Sequence, residues 1–368
     1  MEDLEMAARA VSVGLQAGLA VLVWGPPGTG KTSALLSIAA GLDWEAEVVV
    51  GSIREPTDIA GLPIRHGDGV VLAPPGWALR FIEADRAGRG SLLVLDELTT
   101  SPAAVQAAML RVVCERVVGD LRLPGTTSIV AAANPPEMAA DGWDLTAPLA
   151  NRFCHLDWPI DVRAWASGTA SGWCDASPPV RLEPTWLESL PAWRAKVAGF
   201  VLARPELLHR IPPDPAGRGR AWPSPRSWEM GARAAAAGYS VDPRGDLALF
   251  LISGCVGDGP AAELLAWVSK ADLPDPERLL ADPSQLDLPM RGDRLHASLL
   301  GLVSALGRSP TQERWEAAWA VLHRVVEHGA ADVAALAAHD LLRLRDQAWA
   351  LPERIEVFSS ILVLTGEL

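Results

Sequence analysis

Lysine is the scarcest basic residue: Lys31, Lys196 and Lys270 are the only three in 368 residues, and arginine supplies the other cations. The bias is that of a GC-rich genome, and it makes a lysine inside a motif seldom incidental. Cysteine is nearly as rare. Cys114, Cys154, Cys174 and Cys255 stand far apart, without a C-x-x-C pair or a histidine at ligand spacing. A zinc site or disulfide framework is therefore not expected, and structural thiols in a reducing compartment are. His323 and His328 flank Glu327, but a five-residue spacing does not set two imidazoles on one helix face. No apolar run reaches membrane-spanning length and no secretory signal precedes the first glycine-rich loop, so a cytoplasmic location is expected. Positive charge is also in deficit. A net charge of −13 and a pI near 5.0 argue against a generic nucleic-acid surface, although they leave room for a local basic groove.

What is present suits a soluble globular protein of two or three domains, with 49% hydrophobic and 21% charged residues. Its organising stretch is residues 19–33, LAVLVWGPPGTGKTS. An apolar, β-branched run from Leu19 to Trp24 meets Gly25-Pro26-Pro27-Gly28-Thr29-Gly30-Lys31-Thr32, and a helical pattern continues from Ser33 through Leu42. Strand, loop and helix in that order fit the phosphate-binding pattern G-x-x-x-x-G-K-[ST]. Its glycines let backbone N–H groups close on phosphate oxygens at a helix N-terminus. Lys31 would reach the β- and γ-phosphates, and the Thr32 hydroxyl would ligate Mg²⁺.

Further along, Ser91–Leu95 is a fully apolar strand ending in Asp96-Glu97. Acids at the carboxyl end of a buried parallel strand lie where open α/β sheets bind ligands. Asp96 would hold Mg²⁺ and Glu97 would polarise an attacking water. A second buried strand, 127–133, ends at Asn134, whose amide is either a turn residue or a group that orients water against the γ-phosphate. Arg152, closing a short helix before the strand through Leu156, reads from its own segment as a surface arginine. Arg226, in the basic loop 218–226, either reaches a phosphate from a helix start capped by Ser224 or Ser227, or does nothing.

The remaining pattern is coarser. Helical spacing covers 4–16, 102–116, 186–203, 227–237, 247–255, 295–306, 312–327, 331–349 and 352–364. A turn at Gly67-Asp68-Gly69 and the PPGW segment at 74–77 suggest an inserted hairpin or short helix, and 117–123 a β-hairpin. Trp77 is either a packed aromatic or a substrate-touching loop residue. Residues 159–184, rich in Gly, Ser, Pro and Trp, read as a linker, and 272–290 as a Pro/Asp-rich break.

Taken in order, GPPGTGKT at 25–32, LLVLDEL at 92–98, AAANPP at 131–136, LANRF at 149–153 and PSPRSW at 223–228 resemble the AAA+ ATPases, and within them the MoxR-like branch. The segments REPTDIAG, PPGWAL and ERVVGDLRLPG look like that branch's insertion in the second helix and its hairpin before sensor 1. The resemblance implies a P-loop α/β core, a parallel sheet flanked by helices, over 1–160. It further implies a linker over 161–184, a helical lid with sensor 2 over 185–272, and an additional helical region over 273–368. It assigns Lys31 and Thr32 to Walker A, Asp96 and Glu97 to Walker B, Asn134 to sensor 1, Arg152 to an arginine finger and Arg226 to sensor 2. ATP and Mg²⁺ are the implied ligands, and the implied assembly is a hexameric ring that remodels a partner protein bearing a von Willebrand factor A domain. A nucleic-acid motor or loader, a metal-chelatase-type motor subunit and a small-molecule kinase are the competing readings.

Overall fold

Alternating apolar strands and helical segments through the first 160 residues assemble into a five-stranded, wholly parallel sheet. The structure, a computed structural model, describes residues 3–135, 138, 145–171, 178–271, 273–352 and 355–358. In chain order it opens with α1 (Asp3–Gln16), β1 (Val21–Trp24), α2 (Lys31–Gly41), β2 (Glu45–Val50), α3 (Pro56–Ala60), β3 (Leu62–His66), β4 (Gly69–Ala73), α4 (Gly76–Arg86) and β5 (Ser91–Asp96). There follow α5 (Ala103–Glu115), β6 (Val117–Val118), β7 (Leu121–Arg122), β8 (Thr127–Ala133), α6 (Ala147–Ala150), β9 (Cys154–Asp157) and α7 (Val162–Ser171). The helices α8 (Trp186–Ala203), α9 (Pro215–Arg218), α10 (Pro225–Val241), α11 (Asp246–Val256), α12 (Asp258–Ala271), α13 (Pro276–Ala281), α14 (Gly292–Arg308), α15 (Gln312–Glu327) and α16 (Ala331–Arg343) complete the regular elements.

Strand order is β2-β5-β8-β1-β9. The chain leaves β1 toward one edge, returns through β5 and β8, and crosses to β9 on the other side, so β1 lies where the winding reverses. Such reversals open a crevice at the carboxyl ends of the strands. β5 and β8 are buried on both faces, hence their unbroken apolar runs (SLLVL, TSIVAAA). Leu93, Leu95, Ile129 and Ala131 meet Val105 and Met109 of α5 and Phe81 of α4 in one core. Trp77 belongs to that core: it is 7% exposed and packs edge-to-face on Phe81, 5.4 Å between centroids, so it is a packed aromatic.

Two hairpins stand outside the sheet. β3 and β4 pair antiparallel from Leu62↔Ala73 to His66↔Gly69, and β6 pairs with β7. The β6–β7 turn is joined to strand β4: Asp120 N–H donates to Leu72 O at 3.1 Å, and Leu72 N–H donates to the Asp120 carboxylate at 2.8 Å. Gly119, at φ +60, sits at this joint, where a Cβ would collide with Leu72 O.

Contacts divide the chain into two compact units, residues 1–186 with 209–261, and 187–208 with 262–368. The range 185–272, read from sequence as one lid, is thus split between them. In the second unit, Trp315 and Trp319 meet edge-to-face at 5.8 Å amid Leu299, Leu302, Val325 and Leu341. Arg314 forks onto Glu277 at 2.7 and 3.1 Å.

Three sequence expectations change. The linker read at 159–184 contains the helix α7, which buries none of its residues fully. The break at 272–290 contains α13, begun by an Asp275 cap. The helix expected over 331–349 stops at Arg343, and most of the one expected over 352–364 lies outside the described residues.

Candidate functional site

The site is built where β1, β5 and β8 end. Because β1 and β8 are in parallel register, Trp24 lies opposite Ala133 and the next residues, Gly25 and Asn134, leave the sheet at one level. The β5–β8 pairing, Leu95↔Ala131, delivers Asp96 and Glu97 beside them. Gly28, Lys31, Thr32, Asp96, Glu97 and Asn134 consequently line one cleft of about 410 Å³.

Within the loop, Gly28 and Gly30 adopt left-handed conformations, φ +76 and +79, with nothing within 4 Å on the side a Cβ would occupy. Gly30 caps α2 without any side-chain hydrogen bond. The first intrahelical bond runs from Ala34 N–H to Gly30 O, so the N–H groups of Lys31, Thr32 and Ser33 have no intrahelical acceptor and suit an anion. The Lys31 ammonium donates to Gly25 O, Pro26 O and Asn134 Oδ1 at 2.7, 2.8 and 3.1 Å. Burial lowers its pKa below the ordinary lysine value, and Asp96 opposes that. A phosphate could replace those carbonyls as a better partner for a partly desolvated cation.

Thr32 Oγ donates to Asp96 Oδ2 at 2.7 Å, and the other Asp96 oxygen accepts the Glu97 N–H at 2.9 Å. A hydroxyl and a carboxylate oxygen in contact are a fitting donor set for a small hard cation that keeps most of its waters. Among the described residues no cluster of three or more His, Cys, Asp or Glu forms a metal cage. Glu97 has a left-handed backbone, φ 57 and ψ 40, a conformation that costs a non-glycine residue about 1 kcal/mol or more and gathers at functional sites. Its carboxylate accepts a hydrogen bond from Ser52 Oγ. Ser52 went unread in the sequence because it lies 45 positions away in a Gly/Pro-punctuated stretch.

Arg152 and Arg226 are absent from this cleft. They line a second cavity, of about 650 Å³, at the opposite, amino ends of the strands, together with Cys114, Trp44 and Thr127. The two guanidinium groups oppose the rise in the Cys114 thiol pKa that burial causes, and Arg152 hydrogen-bonds that thiol. Sequence reasoning gave the two arginines separate roles and missed Asn151, whose side chain ties the turn before β9 to the start of α10. Asn151 is 4% exposed; its amide donates to Trp222 O at 3.1 Å and its carbonyl accepts from Ser224 Oγ at 2.6 Å. Of the two serines offered by the sequence, Ser224 caps α10, with Ser227 returning the bond.

A buried pair of rings links β1 to the edge strand β9. Trp24 Nε1–H donates to His155 Nδ1 at 2.9 Å, and His155 Nε2 meets Ala150 O at 2.9 Å, which makes Nε2 the protonated nitrogen. Full burial lowers the His155 pKa to about 4, against the Ala150 carbonyl and with help from Arg220. Arg220 lies 4.4 Å over the Trp24 ring and pairs with Asp157 at 2.9 Å. Cys114, Cys154 and Cys255 are free thiols; Cys174 lies outside the described residues.

No helix among the described residues is long and apolar enough to cross a membrane. Residues 20–153 match the AAA domain of the dynein-related subfamily, a span that runs from the start of β1 to just past Arg152. No curated protein matches the chain. Among solved structures, the chain is similar to the crystal structure of a “putative ATPase” from Cytophaga hutchinsonii, at 17% identity over 69% of this chain and 81% of that one, with a TM-score of 0.46. The strand-end cleft and the start of α2 lie within this span, so the chain carries an AAA domain over residues 20–153 and is an ATPase.

Proposed function

We propose that this ATPase is a MoxR-like ring subunit that uses ATP hydrolysis to remodel a partner protein. The observation that carries the reading is the separation of two charge sets. Lys31, Thr32, Asp96, Glu97 and Asn134 gather at the carboxyl ends of the strands, while Arg152 and Arg226 share a cavity at the amino ends. Arginines so far from their own phosphate loop serve catalysis only by meeting a triphosphate held by another copy. Such head-to-tail contacts close into rings, and a hexamer is the ring size the resemblance favours.

In this reading, Lys31 exchanges the Gly25 and Pro26 carbonyls for β- and γ-phosphate oxygens, and the free N–H groups at the start of α2 hold the same anion. Mg²⁺ held by Thr32 and Asp96 would neutralise charge between the β- and γ-phosphates. Glu97 leaves Ser52 and accepts a proton from water as the water oxygen bonds to the γ-phosphorus. The bond from that phosphorus to the β-bridging oxygen breaks, and Asn134 orients the water. Arg152 and Arg226 of the next protomer stabilise the charge on the departing phosphoryl group.

The joined hairpins β3–β4 and β6–β7 are the elements best suited to pass movement to a client. Leu62 and Val70 on the first are 58% and 70% exposed. A partner with a von Willebrand factor A domain is the one the MoxR resemblance favours. The test is ATPase rate per subunit against protein concentration, read beside negative-stain images with a slowly hydrolysed ATP analogue. A rate that falls on dilution, together with closed rings, supports the reading; a constant rate from monomers refutes it.

A further inference from the structure

The cavity that holds Arg152 and Arg226 poses a question of placement: two long, flexible cations from segments more than 70 residues apart must present their charge together. A guanidinium on a mobile stem loses rotamer entropy whenever it is held, so what a fold can fix in advance is where each stem begins. Arg152 begins one residue after Asn151, and Arg226 two residues after Ser224. Those two neighbours are bonded to each other.

We propose that Asn151 is a positioning residue for the arginine pair, resting on the reading of Arg152 and Arg226 given above. Its side chain is a two-ended bridge: Nδ2 donates to Trp222 O at 3.1 Å and Oδ1 accepts from Ser224 Oγ at 2.6 Å, both bonds buried. Its own backbone is fixed by Asn151 N–H to Ala147 O at 3.1 Å, and the Arg152 N–H is tied to Leu149 O at 3.1 Å. Phe153, 1% exposed, anchors the far side of Arg152 in the core. On the other segment, Ser224 is the cap of the 17-residue helix α10, whose second residue is Arg226. One carboxamide therefore spans the turn that carries one arginine and the helix start that carries the other.

The bridge is redundant for capping. Trp222 O also accepts from Ser227 Oγ at 2.9 Å, and Ser224 Oγ also accepts from Ser227 N–H at 3.1 Å. Removing the Asn151 side chain thus leaves neither group on α10 unpartnered and leaves the helix start intact. What it removes is the register between the two arginine-bearing segments. Since a displacement of about 1 Å in a positioned charge can cost 10²-fold in rate, the effect belongs in kcat.

The experiment measures ATP hydrolysis by the assembled full-length protein for Asn151→Ala and Asn151→Asp, beside Arg152→Ala and Arg226→Ala. A stability control is Ser91→Ala, which loses a buried bond to Thr127 Oγ at 2.9 Å between β5 and β8 and leaves the Asn151 bridge untouched. The expected result is a kcat lower by about tenfold or more in both Asn151 variants with nucleotide Kd within about twofold of wild type, while Ser91→Ala keeps its kcat. In the double variant Asn151→Ala/Arg226→Ala the losses should be less than additive, because both disturb one unit. Ser224→Ala, which keeps the Asn151 bond to Trp222 O, should show a smaller loss of the same kind, and Ser224→Thr, which retains the hydroxyl, should restore it. A wild-type kcat in Asn151→Ala and Ser224→Ala, with impaired arginine variants, overturns this proposal alone. Equal kcat losses in Ser91→Ala also overturn it, as a general stability effect. Full activity in Arg152→Ala and Arg226→Ala overturns the reading on which it rests.

Discussion

The two ends of one sheet are built by different means. At the carboxyl ends, parallel register brings Gly25 and Asn134 to one level and sets Asp96, the last residue of β5, beside them. At the amino ends, Cys114, Arg152 and Arg226 come from the end of α5, a turn before β9 and the start of α10, and no strand pairing sets their spacing. There a buried amide, Asn151, holds two segments together. The comparison teaches that a phosphate loop is close to self-assembling once its sheet forms, whereas the pair of arginines depends on long-range packing. Changes in the phosphate loop should accordingly fail in binding, and changes in the arginine pair in turnover.

The sharpest break at the carboxyl ends is Lys31→Ala. With only backbone amides left to hold a triphosphate, nucleotide binding measured by calorimetry should weaken by more than tenfold and hydrolysis should be lost. At the opposite end, Arg152→Ala should bind nucleotide normally yet hydrolyse it about 10³-fold more slowly; weakened binding would place this arginine on its own subunit's nucleotide. Glu97→Gln should also bind and stall, with kcat lower by about 10²-fold or more. Mixing the Glu97→Gln and Arg152→Ala proteins joins the comparison directly, since some interfaces then pair an intact Glu97 with an intact Arg152. Activity above the sum of the separate proteins is the expected outcome.

The smallest effect concerns the ring pair between β1 and β9. His155 is held neutral, its pKa near 4 in the fold against about 6.5 when free. The unfolded chain therefore takes up the proton first as the pH falls. The contribution of this group to stability is fully present above pH 6.5, declines below it and is exhausted near pH 4, about 3 kcal/mol in all. Denaturation midpoints measured across that range should fall more steeply for the wild type than for His155→Gln, which has no ring to titrate. Parallel curves would mean that the ring is already charged in the fold.

The core strands at 91–95 and 127–133 and the helix at 312–327 were legible because buried strands run continuously apolar and amphipathic helices repeat near 3.6 residues. The helix α7, which buries no residue fully, and the short helix α13 escaped, the second because Pro and Asp also begin helices. Trp77 could be read two ways, and burial against Phe81 decided it. Within LANRF the arginine drew attention, while the asparagine beside it gave no signal, since an amide in a turn is common.

By itself the sequence determined the phosphate loop and the strand–acid pair. Each is a contiguous string whose backbone conformation and chemistry are local, and it needs only a parallel sheet to meet its counterpart. Only the tertiary structure decided that Arg152 and Arg226 stand together, away from Lys31, that Ser52 holds Glu97, and that Asn151 spans 73 positions to reach Ser224. Those relations are made by side chains that meet across the fold, and a pattern along the chain carries no information about which distant groups will touch.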